Sequence, residues 1–135
     1  MNFIDREKLL AARAARTDIV DVSELIEGEE NNDESNEGGE KLFVMVKELP
    51  DKEFTVVQKA ITKPKSLKDK LAGYDFKVVL AQKSIVNSET MHRMFTEDDL
   101  AQIAQWPTAV LKRITETCFE LNGYNLDAVG AAEQD

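Results

Sequence analysis

The sequence predicts a single α+β domain. It is mainly helical, with an antiparallel β-hairpin near the N-terminus that carries a long acidic loop. Three observations predict it. Two β-branched segments, 18–26 and 41–49, flank a run with no aliphatic or aromatic side chain. The second half carries apolar residues at helical spacing and closes on Asn122-Gly123. Hydrophobic residues make up 42% of the 135, enough for one core. Residues 1–127 are read as the domain. Within it 27–40 is a flexible acidic loop, and 128–135 is a disordered tail.

The first element is a helix over 5–16. Asp5 is placed to cap it, Ile4 and Leu9 to form a hydrophobic staple, and LLAARAAR has high helix propensity. Asp18–Ile26 then alternates β-branched and polar residues, as a strand does. Lys41–Leu49 is the clearest strand. Leu42, Val44 and Val46 point to one face, and Phe43, Met45 and Leu49 to the other. One loop joins the two strands, so antiparallel pairing is simplest.

Residues 51–63 mix signals. Thr55-Val56-Val57 favours a strand, whereas Phe54, Val57 and Ile61 favour a helix. Asp51 as N-cap and Pro64 beyond the end tip the balance to helix. A short helical turn is read at Ser66–Ala72, stopping at Gly73. Tyr74–Val86 stays open: its apolar residues suit a helical stripe, yet FKVVL suits a buried strand. Thr96 and the acids 97–99 open a helix with Leu100, Ile103 and Ala104 on its inner face. Pro107 suits the first position of the last helix. Val110, Leu111, Ile114, Cys118 and Leu121 are its stripe.

The formal net charge is −9, and seven of those charges lie within 27–40, which has seven acids and no base. The remainder is nearly balanced. Residues 59–83 run the other way, with seven lysines against two aspartates. They are read as a solvated face, or one that meets the acidic loop or an acidic partner. The overall charge argues against nucleic-acid binding, since phosphate neutralisation needs surplus Lys and Arg. No apolar run reaches the ~18 residues that span a bilayer. The first sixteen residues lack the apolar core of a secretory signal. These features predict a cytosolic protein that binds neither nucleic acid nor membrane.

The sequence offers no catalytic constellation. There is no phosphate-binding glycine loop and no nucleophile elbow. One cysteine, Cys118, and one histidine, His92, rule out multi-cysteine or His-pair metal sites. Cys118 lies in an apolar stripe, where a buried inert thiol is the usual role. The loop acids lack EF-hand spacing. No enzyme activity, catalytic residue, metal or cofactor is expected. Phe119 stands out instead. At 100° per residue it lies about 140° from Ile114, among Lys112, Thr115 and Glu116. An aromatic there either packs against another part of the fold or contacts a partner.

Three segments in order carry a resemblance. They are Phe43-Val44-Met45-Val46-Lys47-Glu48-Leu49, Met94-Phe95-Thr96-Glu97-Asp98-Asp99-Leu100, and Leu121-Asn122-Gly123. With their spacing, the chain from about residue 3 to 124 resembles the tail assembly chaperones of long-tailed bacteriophages and prophages. It departs from them in its long acidic hairpin loop and its lysine-rich segment around 59–70. The resemblance implies a non-catalytic protein of the host bacterial cytoplasm that is absent from the finished virion. It implies binding to the tape measure protein, a very long helical chain, and recruitment of tail tube subunits. It also implies, for many members, a longer frameshifted form. Many copies along one filament would suit a homo-oligomer. A helical partner needs an apolar groove or helix face. Leu100, Ile103, Trp106, Leu111 and Phe119 are the candidate partner-binding residues. The competing reading is an acidic inhibitor or DNA mimic that blocks a basic nucleic-acid-binding site. It is disfavoured because the acids concentrate in one flexible loop.

Overall fold

The computed structural model describes residues 1–11, 15–25, 41–63, 65, 67 and 71–124. The expected acidic loop and C-terminal tail lie outside these residues, as does most of the turn expected at Ser66–Ala72. The described part is a small α+β domain of five α-helices and a three-stranded antiparallel sheet.

Helix α1 covers only Arg6–Leu10. Asp5 caps it as expected, its Oδ1 accepting the Lys8 N–H at 2.9 Å. The helix does not run to residue 16, because Ala11 is already extended and Arg16 is taken by the sheet. The Arg16 carbonyl accepts the Glu48 N–H at 2.8 Å, and the Glu48 carboxylate accepts the Arg16 N–H at 2.9 Å. The expected staple leaves Ile4 55% and Leu9 66% exposed. No side chain of α1 is buried.

Strands β1 (Thr17–Asp21) and β2 (Phe43–Lys47) form the predicted hairpin, in register from Thr17 opposite Lys47 to Asp21 opposite Phe43. β1 stops five residues short of Ile26. The Asp21 carboxylate accepts both the N–H and the hydroxyl of Ser23 and turns the chain into a single 3₁₀ turn, Ser23–Leu25. Val46 is buried and Val44 half-buried, but Leu42 is exposed. Leu49 is buried beyond the strand end and does not share a face with exposed Phe43. The sheet also has a third strand, β3 (Ile85–Val86), which makes β2 the central strand.

Helix α2 is Asp51–Thr62, with Phe54, Val57 and Ala60 buried. Pro50, not Asp51, holds the N-cap position, and its carbonyl accepts the N–H groups of Glu53 and Phe54. Helix α3, Phe76–Ser84, is capped by Asp75 and buried nearly all round. Such a helix shows no amphipathic period, which is why the sequence left this segment open. The helical reading holds for FKVVL, and the strand reading of it does not; the strand β3 comes only after α3, at Ile85–Val86. Gly73 precedes it at φ +88°, where a Cβ would be strained.

Thr96 caps a 3₁₀ turn, Glu97–Asp99, that leads into the short α4, Leu100–Ile103. Asp99 accepts the Thr96 N–H at 2.8 Å and so returns the cap. Leu100 and Ile103 are buried as expected, while Ala104 is exposed. Helix α5 is Thr108–Leu121, with Pro107 at the N-cap position, one residue before the first helical one. It ends in a Schellman turn at Gly123, φ +77°. The Tyr124 N–H donates to the Phe119 carbonyl and the Gly123 N–H to that of Glu120.

The core lies between layers. α3 packs against α2, α4 and α5, and α5 packs on β1 and β2. Strand β1 is a sheet edge. Arg16 and Val22 bond to the β2 side, so by alternation Ile19 and Asp21 turn their main-chain groups outward. Two of these outward groups have partners. The Ile19 N–H donates to Asp18 Oδ1 at 2.8 Å, and the Asp21 carbonyl accepts from Arg113 Nη1 at 2.9 Å. Arg113 also pairs with Glu24. At these two groups the edge is blunted against adding another strand. No helix among the described residues is long and apolar enough to cross a membrane.

Candidate functional site

The structure places the five expected partner-binding residues in or against the core. Leu100, Ile103 and Phe119 are each 1% exposed and Leu111 5%. Trp106 is half-buried, edge-on to Phe95 with centroids 5.6 Å apart. In this conformation none of the first four presents a surface. On α5 the buried arc is wider than its apolar stripe. The helix is covered by α3 and by the sheet, so the polar-looking flank is also interior. Thr115 is fully buried there and its hydroxyl donates to the Leu111 carbonyl at 2.8 Å. Phe119 lies 5.4 Å from Phe54 and 6.4 Å from Phe76, centroid to centroid. Of its two sequence readings, packing within the fold is the one observed.

The uncovered apolar side chains are elsewhere. Phe3 is 87% exposed, and Leu9 and Leu10 about two-thirds exposed, on an N-terminal arm formed by residues 1–11. A second group lies on the sheet. Strand alternation puts Val20, Val44 and Val46 on the face that meets α5. Ile19, Phe43 and Met45 therefore share the outer face, with Ile19 and Phe43 about half exposed. The register aligns Ile19, Met45 and Val86 in one row across three strands. The sequence held this signal in Phe43 and Met45, two apolar odd residues of FVMVK, although Lys47, Thr17 and Asp21 share their face. A sheet with one solvated face alternates apolar with polar instead.

The same outer side leads to a cleft of about 370 Å³, lined in part by Lys47, Glu53, Lys83, Met91, His92 and Arg93. Glu53 sits between two cations, 2.8 Å from Lys83 Nζ and 3.3 Å from Arg93 Nη2. These pairs tie the first turn of α2 to the end of α3 and to the strand-like segment at Arg93, which bridges to Val86. The turn between them is built by Asn87, whose carboxamide oxygen accepts the N–H groups of Glu89 and Thr90. Met91 closes it at φ +63°, a left-handed conformation uncommon outside glycine.

The Lys83 hydrogen bond holds the Glu53 carboxyl below its ordinary value of 4.5, against the opposing pull of burial. Glu53 is thus an ionised tie at neutral pH. Its folded-state pKa is depressed, so its contribution is present above the unfolded value and lost as pH falls through the folded one. We expect wild-type stability to drop on acidification below about pH 4.5. Glu53→Gln should be less stable at neutral pH and flatter across that acid window. Urea midpoints measured against pH check this; parallel curves for the two proteins would refute it.

Burial pushes the Cys118 thiol from 9.0 up to about 12, so it stays protonated in the core at neutral pH. His92 is exposed on the rim of the cleft. Among the described residues, no three His, Cys, Asp or Glu side chains are grouped to hold a metal ion. No protein-family model, curated protein or solved structure matches the chain.

Proposed function

We propose that this chain is a non-catalytic assembly chaperone of the phage-tail type. It binds the tape measure protein in the host bacterial cytoplasm, keeps that long helical chain soluble and helps tail tube subunits gather on it. One observation carries the proposal: the outer face of the sheet leaves Ile19 and Phe43 of the hairpin about half exposed, beside Met45. An apolar helix lying on such a face would bury them. The sequence motifs support the fold side of the reading. The alternating motif is the central strand β2, the acidic motif is the capped entry to α4, and Leu121-Asn122-Gly123 is the close of α5.

Co-expression with a tape measure fragment tests the proposal. A stable complex is expected, and Phe43→Glu should weaken it at least about tenfold, the loss expected of a buried anchor. Failure to recover any complex, or a complex indifferent to Phe43→Glu, would overturn it. Recovery of a nuclease or another basic nucleic-acid-binding protein in place of the fragment would point to an inhibitor instead.

A further inference from the structure

We propose that Asn122-Gly123 is a modification site that the fold holds shut. When the C-terminal end of α5 comes away from Leu49, the pair closes to a succinimide, releases ammonia and leaves aspartate or isoaspartate in place of the asparagine.

The pair is chemically labile. In this reaction a main-chain nitrogen attacks the side-chain carbonyl carbon of the asparagine before it, and a side chain on the attacking residue hinders the approach. Of the chain's asparagines, only Asn122 precedes a glycine. The Gly123 nitrogen gives its proton to water and bonds to Asn122 Cγ. The Cγ–Nδ2 bond breaks, and that nitrogen leaves as ammonia. Water then opens the five-membered ring. Its attack at Cγ gives aspartate, and its attack at the main-chain carbonyl gives isoaspartate. Water is the only co-reactant, and nothing is oxidised or reduced.

The native geometry blocks each part of the first step. Asn122 sits at φ −89° and ψ 4°. At that ψ the Gly123 nitrogen eclipses the main-chain nitrogen of Asn122 and stands about 120° from Cβ around the Cα–C bond. Ring closure needs it eclipsed with Cβ. The attacking nitrogen is also engaged, its N–H donating to the Glu120 carbonyl at 3.1 Å. The electrophile is held as well. The Leu49 N–H donates to Oδ1 at 3.1 Å, and Nδ2 donates to the Leu49 carbonyl at 2.7 Å. Cγ cannot turn toward Gly123 without breaking both bonds. These locks have one origin, the close of α5 beside the residue that follows β2, so they open as a unit.

The consequence runs one way. Before reaction, an opened end returns to Leu49. After it, an ionised aspartate has no N–H for the Leu49 carbonyl, and isoaspartate adds a methylene to the main chain inside the turn. A transient opening thus becomes a lasting loss of stability.

Peptide mapping by mass spectrometry, with isoaspartate scored at residue 122, tests this on the full chain at neutral pH, folded and in urea. The site should react at least about tenfold more slowly in the folded protein, given its two bonds to Leu49. Tyr124 stacks on Phe54 at 4.7 Å and braces the turn. Tyr124→Ala should raise the folded rate about two- to tenfold, the worth of one aromatic pair, and leave the rate in urea unchanged. Protein refolded after long incubation in urea should show a lower unfolding midpoint in step with its modified fraction. Absence of isoaspartate at 122 in urea would overturn the site. Equal rates with and without urea would overturn its closure by the fold, as would a folded Tyr124→Ala that reacts no faster than wild type. A midpoint indifferent to the modified fraction would overturn the one-way loss.

Discussion

Phe119→Ala should destabilise the protein by about 3–5 kcal/mol, the range for truncating a buried aromatic. Phe119 is 1% exposed. Its ring lies between Phe54 of α2 and Phe76 of α3, so it joins three helices. Tyr124, held by its N–H to the Phe119 carbonyl, stacks on Phe54 at 4.7 Å. Truncation opens a cavity where these rings meet, and the Schellman turn above it loses its support. Small domains have only about 5–15 kcal/mol in total, so this change consumes a large share. Phe119→Leu keeps most of the volume and should cost clearly less. Urea unfolding followed by circular dichroism measures both. The result separates the two readings that helical spacing left open. A partner-contact phenylalanine would leave the unfolding midpoint within about 0.5 kcal/mol of wild type, and that outcome would overturn the core assignment.

Phe119 also shows where sequence reasoning stops. A helical wheel reports the composition of a helix, not how many neighbours it has. The stripe Val110, Leu111, Ile114 and Cys118 was legible because one neighbour already demands it. Thr115 and Phe119 are buried by a second neighbour, and only the tertiary arrangement reveals that. The hairpin was legible for a related reason. Its alternation is local, and its register needs only the two strands. β3 was not, because two residues have no period. Ile85-Val86 become a strand only when Met45 and Val46 lie beside them. The caps at Asp5 and Thr96 were legible, because a side chain acts there within three residues; that of Asp75 on α3 was not read, although it is as local. The end of α1 was not: Ala11 is already extended, and Arg16 pairs with Glu48, 32 residues away, instead of continuing the helix. The candidate docking surface was hidden in plain composition. Phe43 and Met45 of β2 and the apolar residues of the arm look like core material. Exposure alone distinguishes them.

Asn122→Ala should cost about 2–4 kcal/mol, through a different mechanism. The Asn122 carboxamide pairs with the backbone of Leu49 across 73 positions of sequence. Its Oδ1 accepts the Leu49 N–H at 3.1 Å, and its Nδ2 donates to the Leu49 carbonyl at 2.7 Å. It thus acts as one more rung of ladder just past the end of β2, and it fastens the C-terminus of α5 to the chain entering α2. Alanine leaves both Leu49 groups without a partner in a partly buried place, and each such group costs about 1–3 kcal/mol. Asn122→Asp separates the two bonds. An ionised aspartate still accepts the Leu49 N–H but faces the Leu49 carbonyl oxygen with a second negative oxygen. At neutral pH it should be nearly as damaging as alanine. Protonation gives it an O–H that donates to that carbonyl, so its folded pKa is raised. The recovered stability is then present below the unfolded value, about 3.9 for an aspartate, and is lost as pH rises through the folded one. The gap between Asn122→Asp and wild type should therefore narrow on acidification, while that of Asn122→Ala should not. Urea midpoints of the three proteins at neutral and acid pH provide the comparison. Equal narrowing for both variants would mean that the Leu49 carbonyl does not need its donor, and that α5 is held to β2 by packing alone.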